Sequence, residues 1–67
     1  MIAIRLNQDP LQVEEGATLA ALVASLDKPP AALATAVNGD FVPRELRAQC
    51  VLREGDAVMT FEPITGG

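Results

Sequence analysis

The closing pair Gly66-Gly67 offers a terminal carboxylate with no side chain on either of the last two residues. Glycine lacks a Cβ, so these residues reach backbone angles and close approaches that any other residue would block. Another protein's catalytic pocket could therefore close around the chain end. Resonance and negative charge make a free carboxylate unreactive toward nucleophiles, but its oxygen can attack ATP at the α-phosphorus. The product is an acyl adenylate whose leaving group is AMP. The carbonyl carbon of Gly67 is then electrophilic, and sulfur delivered there would leave a terminal thiocarboxylate, a portable nucleophile. The competing explanation is a frayed end, since termini are commonly disordered and glycine is frequent in them.

No other residue competes for a chemical role. The 67 residues include no histidine, which excludes Ser-His and Cys-His pairs and His-ligated metal sites. Glu14-Glu15 is the only adjacent acidic pair, but neighbours on a strand point to opposite faces, so the two read as solvated residues at a strand end. Cys50 is the single cysteine. With no evident cationic partner to activate it, it reads as a small buried hydrophobe. Asn38-Gly39 is accounted for as a tight turn. The expectation is a protein that is not itself an enzyme and binds no cofactor or metal.

The elements that would carry the chain end follow from the hydrophobic pattern. Ile2, Ile4 and Leu6 alternate with Ala3 and Arg5, the period of a half-buried strand. Asn7-Gln8-Asp9-Pro10 carries turn residues, and Leu11 and Val13 alternate onward as the second arm of a hairpin. Thr18 is placed to cap a helix. Leu19, Leu22, Val23 and Leu26 then recur on one stripe, ended by Asp27-Lys28-Pro29-Pro30. Ala34 to Val37, the Asn38-Gly39 turn and Phe41-Val42 read as a second short hairpin. Pro43 opens a helical turn through Arg47, and Arg53-Glu54-Gly55-Asp56 turns into a last strand, Ala57 to Phe61. Pro63 ends its pairing. This order predicts an α+β domain with one main helix packed across a mixed sheet of four to five strands.

Composition bounds the partners. Apolar residues make up 49% of the chain and aromatics 3%, so the core must be aliphatic. Nine acidic and five basic residues give a net charge of −4, which disfavours nucleic acid and suits a partner with a basic docking face. The start Met1-Ile2-Ala3-Ile4-Arg5 lacks the character of a signal peptide, and no apolar run approaches a membrane span. A cytoplasmic protein, monomeric when free, is expected. Residues 1–62 would form the domain and 63–67 a flexible tail. At about 3.3 Å per residue, the stretch from Glu62 to Gly67 could reach roughly 20 Å.

The segment Val37-Asn38-Gly39-Asp40-Phe41-Val42-Pro43-Arg44, with Glu54-Gly55-Asp56-Ala57-Val58 and the closing Gly66-Gly67, resembles the sulfur carrier proteins of thiamine biosynthesis. The similarity runs along the whole chain, although members of that family often carry Trp where this chain has Leu46. It implies a ubiquitin-like β-grasp fold. It also implies that Gly67 is adenylated by a partner similar to ubiquitin-activating enzymes, with consumption of ATP, and becomes a thiocarboxylate whose sulfur passes to thiazole synthase. Ile64, Thr65, Gly66 and Gly67 would enter the partner's active site. The ending also resembles the small subunit of molybdopterin synthase, another thiocarboxylate carrier. A ubiquitin-like modifier and a non-covalent interaction module are the remaining alternatives.

The resemblance also bears on the last strand. Hydrophobicity alone would send Met59 and Phe61 inward. Matching to ubiquitin-like relatives reverses this, turning Val58 and Thr60 toward the helix and leaving Met59 and Phe61 as an exposed docking patch.

Overall fold

The computed structural model describes residues 1–26 and 28–62. The first two strands, β1 (Ile2–Leu6) and β2 (Asp9–Val13), pair antiparallel from Ile2↔Val13 to Leu6↔Asp9. Only Asn7 and Gln8 connect them, at φ 52° and 75°. Positive φ at both positions gives a type I′ turn, whose twist matches that of the flanking strands. The turn is thus shorter than the four residues the sequence suggested, and Pro10 lies within β2, opposite Arg5. Proline is tolerated because β2 is an edge strand. Counting from the turn, Arg5 and Pro10 form a non-hydrogen-bonded pair, so the N–H that Pro10 lacks would have faced outward.

Thr18 caps the helix α1 (Leu19–Ala24), its Oγ1 accepting from the Ala21 N–H at 3.2 Å. The helix ends earlier than its apolar stripe. Ser25 donates through its hydroxyl to the Leu22 carbonyl at 2.7 Å, and the Leu26 N–H reaches back only to Val23, at 3.1 Å. Leu26 therefore keeps to the stripe through a tightened 3₁₀-type turn rather than an α-helical one. Asp27, expected in the terminating segment, lies outside the described residues. An isolated helix of this length would not persist in water. Packing of Leu19, Leu22 and Val23 into the core holds it.

A short 3₁₀ turn (Pro30–Ala32) leads into β3 (Ala34–Val37), which forms a second hairpin with β4 (Asp40–Val42). Its turn is Asn38-Gly39, at φ 52° and 86°. A 3₁₀ segment (Arg44–Gln49) follows, then the final strand β5 (Ala57–Phe61). The sheet order is β2-β1-β5-β3-β4, so the last strand is the central one, parallel to β1 and antiparallel to β3. Ile4, Leu33, Leu52 and Val58 meet the helix stripe to form the aliphatic core. Burying each such side chain contributes about 1.5–3 kcal/mol. The five-stranded mixed sheet with one main helix across it is the ubiquitin-like β-grasp arrangement.

Arg47 was not anticipated in this core. It is 4% exposed, while its neighbour Leu46 is exposed. Its Nε donates to Thr35 Oγ1 at 3.1 Å and its Nη2 to the Leu33 carbonyl at 2.5 Å, and Thr35 in turn donates to the Val42 carbonyl at 2.9 Å. The guanidinium thus satisfies buried acceptors that would otherwise be costly, and it ties β3 to the 3₁₀ segment.

Candidate functional site

The C-terminal segment departs from β5, and side chains fasten that strand at both ends. At its start, the Asn38 amide spans two partners. Its Oδ1 accepts from the Ala57 N–H at 3.0 Å, and its Nδ2 donates to Asp56 Oδ1 at 3.0 Å. The other Asp56 oxygen accepts from the Arg53 N–H at 2.9 Å. On the β1 side, Glu54 Oε1 accepts from the Ala3 N–H at 3.0 Å and the Gly55 N–H donates to the Ala3 carbonyl at 2.8 Å. Gly55 holds φ 86°, a conformation that favours glycine at this turn.

Asn7 performs the matching task at the end of β5. Registered pairing with β1 covers only Arg5↔Ala57 and Leu6↔Val58, because the chain then leaves into the first hairpin turn. The Asn7 N–H donates to the Val58 carbonyl at 2.9 Å. Its side chain replaces the missing strand beyond that point: Oδ1 accepts from the Thr60 N–H and Nδ2 donates to Thr60 Oγ1, both at 2.9 Å. A neighbouring ion pair joins Lys28 Nζ to Glu62 Oε1. Between these two straps lies a groove of about 400 Å³, lined by Leu6, Leu26, Leu33 and Phe61.

The sheet face away from the helix is apolar around β5. Val58 is 1% exposed and points into the core, whereas Met59 and Phe61 are 45% and 46% exposed. This is the orientation expected from ubiquitin-like relatives and the opposite of what hydrophobicity alone would give. The register sets Ala36 opposite both Met59 and Phe41, and Ala34 opposite Phe61. Phe41, 66% exposed, therefore extends the patch across β3. Its sequence clue was the Asn38-Gly39 turn, which places Phe41 on the same face as Ala36.

The remaining candidates contribute no arrangement for catalysis. Glu14 and Glu15 are exposed, and Cys50 is partly buried against the core rather than enclosed in it. Among the described residues, no three His, Cys, Asp or Glu side chains gather as a metal site, and no helix is long and apolar enough to cross a membrane. Ile64, Thr65, Gly66 and Gly67, and the boundary between a domain of 1–62 and a tail of 63–67, lie outside the described residues.

Residues 3–67 match the model of the ThiS family. The chain belongs to that family. Among ThiS relatives, it is 38% identical over 64 residues to the sulfur carrier protein ThiS of Escherichia coli (strain K12), covering 96% of this chain and 97% of that one. A crystal structure of thiamine biosynthesis protein ThiS from Geobacter metallireducens superposes with a TM-score of 0.87 at 23% identity, covering 98% of this chain and 100% of that chain. A solution structure of a thiamine biosynthesis protein from the same organism gives a TM-score of 0.76 at 25% identity, covering 98% and 88% of the two chains. The ThiS fold is therefore common to the sequence match and the structural one.

Proposed function

We propose that this chain is a sulfur carrier of thiamine biosynthesis that works through the carboxylate of Gly67. The observation that carries the reading is the family match through residue 67, which takes in the closing Gly66-Gly67. A carboxylate oxygen of Gly67 attacks the α-phosphorus of ATP in the active site of a ubiquitin-activating-type enzyme. A bond forms from that oxygen to phosphorus, and pyrophosphate leaves. A sulfide-level sulfur nucleophile then attacks the carbonyl carbon, the acyl C–O bond breaks, AMP departs with the bridging oxygen, and a thiocarboxylate remains. Thiazole synthase receives this sulfur. The chain is thus a co-substrate of its partners and not a catalyst, with ATP consumed by the activating enzyme and no cofactor of its own.

The globular part supplies recognition. Met59 and Phe61, joined by Phe41 on the same face, form the docking patch for the activating enzyme and the synthase. Exposed methionine and aromatic side chains suit a surface that meets successive partners. The net charge of −4 favours approach to a basic face. Residues 63–67 act as a tail, with Ile64, Thr65, Gly66 and Gly67 threading the partner's active site. The setting is the cytoplasm, with the free carrier a monomer.

Deleting Gly67, or adding one residue after it, should abolish sulfur loading while leaving the fold unchanged by circular dichroism. Preserved loading in either variant contradicts the role assigned to the terminal carboxylate.

A further inference from the structure

The two straps at the end of β5 differ in kind. Lys28 and Glu62 are both well exposed, and an ion pair between solvated side chains holds its geometry weakly. Asn7 is exposed as well, but it makes a two-point contact. Its Oδ1 and Nδ2 engage the N–H and the hydroxyl of a single residue, Thr60, while its own N–H is fixed on the Val58 carbonyl. Two parallel hydrogen bonds to one residue restrain rotation as well as distance. The amide stands where β1 would have continued had the chain not turned away, so it extends the parallel ladder by one step, up to the point where the C-terminal segment departs.

This arrangement asks something particular of position 7. The residue must hold φ 52° to open the hairpin turn, and it must present a donor and an acceptor side by side. Asparagine tolerates the left-handed region better than most residues, and its amide provides both groups. A turn alone would accept glycine or aspartate equally well. The use of both amide atoms on Thr60 goes beyond what the turn needs.

We infer that Asn7 is a positioning residue for the C-terminal segment: by clamping Thr60 it sets the course of Phe61 and Glu62, and so fixes the point and direction from which the segment bearing Gly67 leaves the domain. The inference rests on the carrier reading above. Asn7 itself lies outside the Met59, Phe61 and Phe41 patch; because Phe61 belongs both to the patch and to the clamped stretch, a loss of aim is read in kcat and a loss of docking in KM. A misaimed end costs turnover, because activation depends on the attack geometry of one oxygen.

Asn7→Gly tests this, since glycine keeps the turn's positive φ and deletes only the amide. With the adenylating enzyme of the source organism and ATP, the expected result is kcat lower by about tenfold with KM within about twofold of the original. Asn7→Asp, which retains an acceptor for the Thr60 N–H and a second oxygen to accept from its hydroxyl, should restore most of the turnover. In the free protein, amide hydrogen exchange at Thr60 and ¹⁵N relaxation at Phe61 and Glu62 should report loosening in Asn7→Gly, with Leu19 and Thr35 as protected as before. Unchanged exchange and relaxation would overturn the positioning role while leaving the carrier reading intact, as would a rise in KM at constant kcat. If the original protein is never adenylated, it is the carrier reading that fails, and the catalytic part of this inference with it.

Discussion

The Asn7-Gln8 and Asn38-Gly39 turns look like copies, yet they fasten opposite ends of the same strand with different chemistry. Both are two-residue turns opened by asparagine at φ 52°, and both asparagines turn their amide onto β5. Asn38 works against a carboxylate that is itself held by the Arg53 N–H. Asn7 works against a neutral hydroxyl. The second positions differ too: glycine takes φ 86° in one turn, whereas Gln8 takes 75° in the other. The start of β5 is thus anchored by a charge-assisted network on an unstrained turn. The end, where the C-terminal segment leaves, is anchored by a neutral pair on a turn that carries backbone strain. On the proposed carrier role, the neutral anchor is the one that lies next to the terminus a partner would receive.

Truncating the two asparagines is the strongest way to break this comparison. Asn38→Ala should cost about 2 kcal/mol, since hydrogen bonds to charged groups exceed neutral ones and alanine resists positive φ. Asn7→Ala should cost less, about 1–1.5 kcal/mol on the same reasoning without the charge. Urea midpoints at constant slope measure both. Equal losses would mean that the Asp56 carboxylate adds nothing.

Smaller effects of opposite sign sharpen it. Gly39→Ala forces a Cβ into the left-handed region and should lower stability by about 1 kcal/mol, the steric cost being partly offset by a stiffer unfolded chain. Gln8→Gly relieves the same strain and should raise stability by about 0.5 kcal/mol after the added chain entropy is counted. Open space surrounds the position a Cβ would take at Gly39, so crowding does not confound that change. A loss of stability in Gln8→Gly would show that Gln8 sits in its turn without strain.

Much of the fold was legible because its signals are local. Alternation marked β1, Thr18 marked the helix start, and Asn38-Gly39 marked the second hairpin together with its register. Two boundaries moved for local reasons that the pattern hides. Pro10 joins β2 because its missing N–H faces outward, and α1 stops at Ala24 because Leu26 continues the stripe through a 3₁₀-type bond. Arg47 was illegible, since its partners Leu33 and Thr35 are distant in sequence and nothing in Arg44-Glu45-Leu46-Arg47 distinguishes the buried arginine from the exposed one. The same holds for the amides of Asn7 and Asn38: a turn residue is visible in sequence, but its non-local partner is not. The orientation of Met59 and Phe61 came from family likeness, because alternation alone allows either face and hydrophobicity favours the wrong one.

The central claim concerns Gly67, and intact-mass spectrometry of the protein isolated from its source tests it most directly. The account predicts a fraction of the chain heavier by the exchange of one oxygen for sulfur, located at the C-terminal residue by fragmentation. A chain found only unmodified in cells actively making thiamine, or found joined through Gly67 to lysines of other proteins, would contradict it.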